Sequence, residues 1–282
     1  MNNFGDIPVK YADENTAKIV ILPVPYDDTS TWLKGADKGP AAITEASANM
    51  ELFHIETDTE VYINGIYTAP PVTENSTPEA MAEAVYKQVR RYLEHGKFIV
   101  TTGGEHSISI GAIRAHAEAF EDFCILQLDA HADLREEYEG SRFNHACVMA
   151  RAKECGKIIQ AGIRSMDSSE KENMNPENMF FAHYIHSNPS WIKEIAEKLA
   201  KNVYITIDLD VFDPAIMPST GTPEPGGLSW YDVISLMRTV NEKSNITGVD
   251  IVELCPQETN KAPDFLAAKL IYNILSYKFQ NQ

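Results

Sequence analysis

The sequence predicts a three-layer α/β/α sandwich with a mostly parallel central sheet of about eight strands. Short apolar runs alternate with helical patterns along the 282 residues, and such alternation is typical of a parallel sheet covered by helices on both faces. Strands such as Ile19-Val20-Ile21-Leu22 are apolar throughout, as expected when both faces of a strand are buried. No linker or repeat interrupts this pattern, so a single domain over residues 1–282 is the simplest interpretation.

The predicted strands are rich in β-branched residues and are separated by turn signals. They cover Lys18–Pro23, Glu60–Ile66, Phe98–Thr102, Phe123–Asp129, Lys157–Ile163, Met179–Ala182, Val203–Asp208 and Gly248–Glu253. Several of the segments between them have helix start signals, such as a proline in the first turn. The predicted helices cover Pro40–Leu52, Pro78–His95, Ile108–Ala119, His145–Glu154, Ser190–Ala200, Ser229–Asn241 and Pro263–Lys278.

The composition excludes some classes of protein. With 24 Lys and Arg against 41 Asp and Glu, the net charge is −17, which argues against nucleic-acid binding and fits a small cationic substrate. No apolar run approaches the roughly 18 residues that a membrane span needs, and the N-terminus lacks the pattern of a secretory signal. The four cysteines have no C-x-x-C spacing. They indicate reduced thiols in a cytoplasmic protein.

Six side chains that can bind metal stand in three clusters, each just after a predicted strand. The clusters are His106 in Gly-Gly-Glu-His, then Asp129, His131 and Asp133 in Asp-Ala-His-Ala-Asp, then Asp208 and Asp210 in Asp-Leu-Asp. In an extended backbone, alternate side chains point to the same side. Ligands of open α/β sheets bind beyond the carboxyl ends of the strands, where Glu253 also falls. A single Asp-x-His-x-Asp can be a solvated loop, but three clusters at strand ends predict a metal site.

The ligand types indicate which ion is expected. Carboxylates with some imidazole and no thiolate suit harder divalent ions such as Mn²⁺, whereas structural zinc prefers cysteine and histidine. Four aspartates and two histidines exceed what one tetrahedral ion can use. Two ions that share bridging aspartates would use all six, and such a pair can present hydroxide at neutral pH.

The same residues carry a resemblance to a known family. The chain resembles the ureohydrolases, the arginase and agmatinase family, along nearly its whole length, in segments Gly35–Ile43, Gly103–Ser107, Leu128–Arg135, Ile207–Pro214, Gly221–Leu228 and Asp250–Glu253. The resemblance implies a three-layer α/β fold, two Mn²⁺ per chain and hydrolysis of a guanidino compound to urea and an amine. In the family pattern the first ion takes His106, Asp129, Asp133 and Asp208, and the second takes Asp129, His131, Asp208 and Asp210.

The resemblance also suggests catalytic and substrate-binding residues. Glu253 would pair with the guanidinium, although a carboxylate there can also cap a neighbouring helix. Asp133 would take a proton from the nucleophile and pass it to the leaving nitrogen. His145 would contact the substrate region and shuttle protons to solvent, since its ordinary pKa is near 6.5. The alternative role for His145 is to cap the helix that begins there.

The segment Asp133–Gly140 resembles the agmatinase branch, and Thr222–Gly227 resembles the branches other than arginase. Agmatine, hydrolysed to putrescine and urea, is therefore the first expectation, because a glutamate-lined mouth formed by Leu134–His145 would hold an amine. Aminopropylagmatine is an alternative, and guanidinobutyrate and arginine rank lower.

Two other classes of protein remain as alternatives. A zinc amide hydrolase related to the deacetylases would use one ion and fewer aspartates, and a non-catalytic scaffold should have lost ligands. The family resemblance further implies a homo-oligomer, a trimer or a hexamer.

Overall fold

The computed structural model describes residues 3–280 and contains one eight-stranded sheet in which all paired neighbours are parallel. The strands are β1 Ile19–Val24, β2 Ile66–Thr68, β3 Phe98–Gly103, β4 Phe123–Leu128, β5 Lys157–Ile163, β6 Met179–Phe181, β7 Asn202–Asp208 and β8 Asn245–Val252. Their order across the sheet is β2-β1-β3-β8-β7-β4-β5-β6. The predicted fold class is confirmed.

Helices cover both faces of the sheet. They are α1 Gly39–Ser47, α2 Pro78–Glu94, α3 Ser109–Ala119, α4 Val148–Cys155, α5 Ala182–Ser187, α6 Trp191–Lys198, α7 Trp230–Lys243 and α8 Ala262–Phe279. Alternate residues of β1 enter different cores: Ile19 and Ile21 pack in a core with α1, α6, α7 and α8, whereas Val20 and Leu22 pack with α2, α3 and α4. Burial on both faces explains the uniformly apolar strands. Among the described residues, no helix has both the length and the hydropathy to cross a bilayer.

The prediction of a strand over Glu60–Ile66 is wrong for most of these residues. Val61–Asn64 form a 3-10 helix instead, and β2 begins only at Ile66. Gly65 separates the two elements with a φ of 81°, and a Cβ there would lie 2.6 Å from the Cα of Ala17. A glycine is therefore required at this sharp change of direction, and the chain can pair with β1 only after it.

The strand order brings distant segments together. β3, β8, β7 and β4 are consecutive neighbours in the middle of the sheet, although they are widely separated along the chain. All three predicted metal clusters and Glu253 lie at or just after the carboxyl ends of these four strands. The same edge of the sheet therefore carries every candidate site residue except His145, which follows at the start of the 3-10 helix His145–Cys147.

Candidate metal centre

The six predicted metal ligands lie in one cluster. One group of ligand atoms comes from His106, Asp129 and Asp208 and a second from Asp129, His131 and Asp210, and within each group the atoms lie within 4.8 Å of one another. Asp133 adjoins the first group, with its Oδ2 2.9 Å from Nδ1 of His106. Asp129 belongs to both groups, as a bridging ligand would, whereas Asp208 belongs only to the first.

Backbone amides orient these carboxylates. Oδ1 of Asp208 accepts a hydrogen bond from the Asp210 amide at 2.9 Å, and Oδ1 of Asp210 accepts one from the Ala130 amide at 2.9 Å. Their Oδ2 atoms instead face the histidines, 3.6 Å from Nδ1 of His106 and 2.8 Å from Nδ1 of His131, respectively. Each carboxylate therefore has one oxygen fixed by the backbone and the other presented to the cluster.

A buried chain of hydrogen bonds determines the tautomer of His106. Tyr204 and Thr206 both donate hydroxyl hydrogens to the Asp250 carboxylate, at 2.7 Å each. The oxygen of Thr206 is then an acceptor for Nε2–H of His106, at 2.8 Å. Nδ1 is consequently the nitrogen that faces the aspartates, which is the arrangement found when a histidine binds metal through one nitrogen and is held through the other.

The surroundings of His106 Nδ1 fit a bound cation. This atom is buried, and no hydrogen-bond partner of suitable geometry is found for it within residues 3–280. Carboxylate oxygens of Asp133 and Asp129 nevertheless lie 2.9 and 3.1 Å from it. A lone pair that faces two carboxylates is unfavourable unless positive charge lies between them. Oxygen and imidazole donors without thiolate suit a divalent ion.

The electrostatics of the cluster support the same conclusion. Burial raises the pKa of Asp208 well above its ordinary value, and Asp210 and Asp129 add to this effect. Burial, with Asp129, also raises the pKa of Asp133 to about 7. Burial would lower the pKa of His131, but Asp210 and Asp129 raise it to about 12. These carboxylates disfavour being ionised together and favour any cation among them.

Two site residues have an unusual backbone conformation. Asp133 and Glu253 have φ values of 53° and 66°, in the left-handed region that non-glycine residues rarely adopt. Such strain clusters at functional sites, where the surrounding structure holds it in place. Here the left-handed conformation lets the backbone turn at each of these two residues, so that the carboxylate is directed into the site.

Glu253 contacts the start of a neighbouring helix and also faces the cavity. Its Oε1 accepts a hydrogen bond at 2.7 Å from the amide of His106, the first residue of the 3-10 helix His106–Ile108. The side chain is only partly buried and lines the cavity above the cluster. Burial and the neighbouring Glu105 raise its pKa well above the ordinary value. A carboxylate held through one oxygen leaves the second available to a cationic group.

His145 does not cap the helix that begins there. Asn144 does so instead, by accepting a hydrogen bond from the Ala146 amide at 3.0 Å. The imidazole of His145 lines the cavity and hydrogen-bonds through Nδ1 to Thr29 Oγ1 at 3.1 Å. Burial, together with His106 and His131, lowers its pKa to about 4, so the ring is neutral at pH 7.

A cavity of about 330 Å³ lies above the cluster. At its rim, Arg135 lies 3.6 Å from Asp167 and 4.6 Å from the centre of the Tyr138 ring. The expectation that glutamates line the mouth of the cavity is wrong, because none of the glutamates of Leu134–His145 lines it. Glu136, for example, pairs with Arg151 at 2.7 Å. The acidic group at the rim is Asp167, from the loop after β5.

Sequence reasoning missed several residues of the site. Asp250 carried a detectable signal, since it is a charged residue in the middle of the apolar strand Asn245–Val252. Thr206 lies two residues before Asp208 and therefore on the same side of β7. Glu105 stands within the recognised Gly-Gly-Glu-His segment. Thr29 and Asp167 had no local signal, because only the folded chain brings their loops to this cavity.

Comparison with known proteins agrees with the fold and the family resemblance. The model of the Arginase family matches residues 17–276. The chain is 38% identical to an N(1)-aminopropylagmatine ureohydrolase of Synechocystis sp., over 96% of this chain and 92% of that protein. It is 31% identical to an agmatinase of Pyrococcus horikoshii, over 96% and 95% of the two chains.

Among solved structures, the agmatine ureohydrolase of Thermoplasma volcanium superposes with a TM-score of 0.85 at 32% identity, over 94% of this chain and 91% of that one. The predicted resemblance to the ureohydrolases is confirmed, and the chain belongs to the arginase family.

Proposed function

We propose that the protein hydrolyses a guanidino compound with an amine at its far end, and that agmatine, converted to putrescine and urea, is the first candidate substrate. The observation that carries this proposal is one cavity with the six-ligand cluster and Glu253 at its base and the carboxylate of Asp167 at its rim. Water adds to the guanidinium carbon, the bond to the substituted nitrogen breaks, and urea and a protonated amine leave.

The cluster is proposed to hold two Mn²⁺ per chain. One ion would be held by His106, Asp129, Asp133 and Asp208, and the other by Asp129, His131, Asp208 and Asp210. When bound, two such ions lower the pKa of a water between them and so supply the nucleophile. The donor set supports manganese over structural zinc, since it contains carboxylates and imidazoles and no thiolate.

Three side chains are proposed to act on the substrate. Glu253 binds the guanidinium through the carboxylate oxygen that does not accept from His106, and this charge pairing orients the planar cation. Asp133 takes the proton that the attacking water releases and delivers it to the leaving nitrogen. His145, whose imidazole lines the cavity, exchanges protons between the site and solvent.

The far end of the substrate would lie near Asp167. Its carboxylate is 43% exposed at the rim, which suits a solvated ammonium group. A carboxylate-tailed guanidine would meet a like charge there, although Arg135 nearby reduces this repulsion. Charge at both ends of the cavity therefore supports a substrate that is cationic at both ends.

Aminopropylagmatine, which would give spermidine and urea, is a second candidate. The relative at 38% identity carries that substrate's name, whereas the agmatinase compared above is 31% identical. The cavity also opens beside Trp32, which is 68% exposed. We propose that an additional aminopropyl arm would extend outward past this side chain.

The test is urea release by the full-length, Mn²⁺-loaded protein from agmatine, N1-aminopropylagmatine, arginine and 4-guanidinobutyrate. We expect the two amine-tailed compounds to be far ahead, with Asp133→Asn as the inactive control. A lead for arginine or guanidinobutyrate would refute the amine preference. Failure to release urea from any of the four would refute the ureohydrolase proposal.

The arrangement of the whole protein is also proposed. One sheet runs through the described chain, which supports a single domain over residues 1–282, and four free cysteines support a cytoplasmic location. The exposed apolar residues Phe53 and Ile55 support self-association, and the family resemblance implies a trimer or a hexamer. Light scattering after size exclusion should give three or six times the mass of the 31.5 kDa chain, and a monomer would contradict this expectation.

A further inference from the structure

Thr29 connects a buried carboxylate to the imidazole of His145. It lies in the loop between β1 and α1, and its hydroxyl donates a hydrogen bond to Oε1 of Glu105 at 2.6 Å. The same oxygen lies 3.1 Å from Nδ1 of His145 and accepts a hydrogen bond from the His145 backbone amide at 3.0 Å. Thr29 therefore holds both the backbone and the ring of His145.

The Glu105 carboxylate is the acceptor in this arrangement: burial raises its pKa, but the hydrogen bonds from Ser107 and Thr29 act against that rise and favour the ionised form. The residue is fully buried, and its Oε2 accepts from the amides of Thr29 and Ser30 at 2.6 and 3.0 Å. Its Oε1 accepts from the hydroxyls of Ser107 and Thr29 at 2.5 and 2.6 Å. The Ser30 hydroxyl is a fifth and longer contact, at 3.4 Å from Oε2. With these donors around the carboxylate, the hydroxyl hydrogen of Thr29 is committed to Glu105.

The direction of the remaining hydrogen bond follows. A hydroxyl has one hydrogen to donate and two lone pairs, so the oxygen of Thr29 can only accept from the ring of His145. The ring must then carry its hydrogen on Nδ1 when it is neutral. Nε2 is left with the free lone pair, on a side chain that lines the cavity.

We propose that Thr29, supported by Glu105, is a positioning residue that fixes His145 in the Nδ1–H tautomer and keeps Nε2 as the proton acceptor. This inference rests on the proposed role of His145 in proton transfer. The other tautomer would place two lone pairs against each other at Nδ1 and the Thr29 oxygen, and would offer the cavity a donor in place of an acceptor. Thr29 acts through His145 and is not itself a catalytic residue.

The kinetic test compares Thr29→Val with Thr29→Ser in the full-length, Mn²⁺-loaded protein. Valine keeps the shape but removes the hydroxyl, so kcat for urea release should fall about 3–10-fold, with KM changed less than about 2-fold. Serine keeps the hydroxyl and should restore kcat to near the wild-type value. Full activity of Thr29→Val, or failure of serine to rescue, would overturn the proposal.

A double-mutant cycle separates positioning from a general structural effect. If Thr29 acts through the imidazole, Thr29→Val should lower kcat no further in a His145→Asn background. If the fold-decrease in kcat of the double variant equals the product of the two single decreases, Thr29 acts independently of His145 and the proposal is refuted.

The tautomer can be measured without turnover. In wild-type protein with ¹⁵N-labelled histidine at pH 8, assigned by comparison with His145→Asn, Nδ1 should have a protonated ring-nitrogen shift and Nε2 an unprotonated one. Thr29→Val should move both shifts towards the average of the two tautomers. An Nε2–H tautomer in the wild type would overturn the proposal. A protein that releases no urea yet shows the Nδ1–H tautomer would refute the proposed function and leave the positioning intact.

Discussion

Replacement of Thr206 by valine would test how the buried network prepares His106. The Thr206 hydroxyl accepts from Nε2–H of His106 at 2.8 Å and donates to Asp250 at 2.7 Å, and all three side chains are at most 1% exposed. Valine has nearly the same shape, so the change creates no cavity. It leaves a donor on His106 and an acceptor on Asp250 buried without this partner.

The size of the effect follows from these two lost partners. An unsatisfied buried polar group costs about 1–3 kcal/mol, so the two groups left by Thr206→Val should lower the free energy of unfolding of the metal-free protein by about 2–6 kcal/mol. Loss of a group that orients a metal-binding histidine also weakens metal binding about 10–100-fold. Thr206→Ser keeps the hydroxyl and is the matched control.

Urea unfolding of the metal-free proteins and calorimetric titration with Mn²⁺ measure the two effects separately. The valine variant should be impaired in both measurements, and the serine variant in neither beyond the loss of one methyl group. Unchanged Mn²⁺ affinity in a folded Thr206→Val protein would refute the role assigned to the network.

Three further changes have defined outcomes. Asp133→Asn should leave a folded protein, by circular dichroism, whose urea release is at least about 100-fold lower; near-normal turnover would exclude Asp133 as the proton carrier. Asp167→Asn should raise KM for agmatine about 2–5-fold with less effect on guanidinobutyrate, and equal changes for both would show that Asp167 does not select the tail. Burial lowers the pKa of His116 to about 3 in the folded protein, whereas the pKa in the unfolded chain is near 6.5. Between these two pH values the unfolded chain binds more protons than the folded protein, so the free energy of unfolding falls as the pH falls. When the pH of the metal-free proteins is lowered from 7 to 5, the free energy of unfolding should fall by about 2 kcal/mol less in His116→Leu than in the wild type. Equal decreases in the two proteins would contradict the burial of His116 as a neutral ring.

The sequence was sufficient to predict the layered fold, because apolar strands such as Ile19–Val24 have no polar face and can only be buried on both sides. It failed at Glu60–Ile66, where the run Val61-Tyr62-Ile63 has residue types typical of a strand but Gly65 turns the chain. The clustering of the six candidate ligands could also be predicted, since the carboxyl ends of neighbouring parallel strands meet at one edge of the sheet.

The residues that orient those ligands could not be predicted in the same way. Thr206 and Asp250 are in contact only because β7 and β8 are neighbours in the sheet. The order of strands in a sheet cannot be predicted from the local sequence pattern. Asp167 reaches the cavity from the loop after β5, at the rim where Leu134–His145 was expected to provide the acidic groups. Its role depends on the path of two loops in space, and short-range periodicity does not encode that path.

The central claim is that the six clustered side chains hold two divalent ions with Asp129 between them. Anomalous diffraction from crystals of the Mn²⁺-loaded protein tests this directly. We predict two manganese peaks about 3.5–4 Å apart, one beside His106 and the other beside His131, with Asp129 bound to both. A single peak, or two peaks that share no aspartate, would contradict the claim.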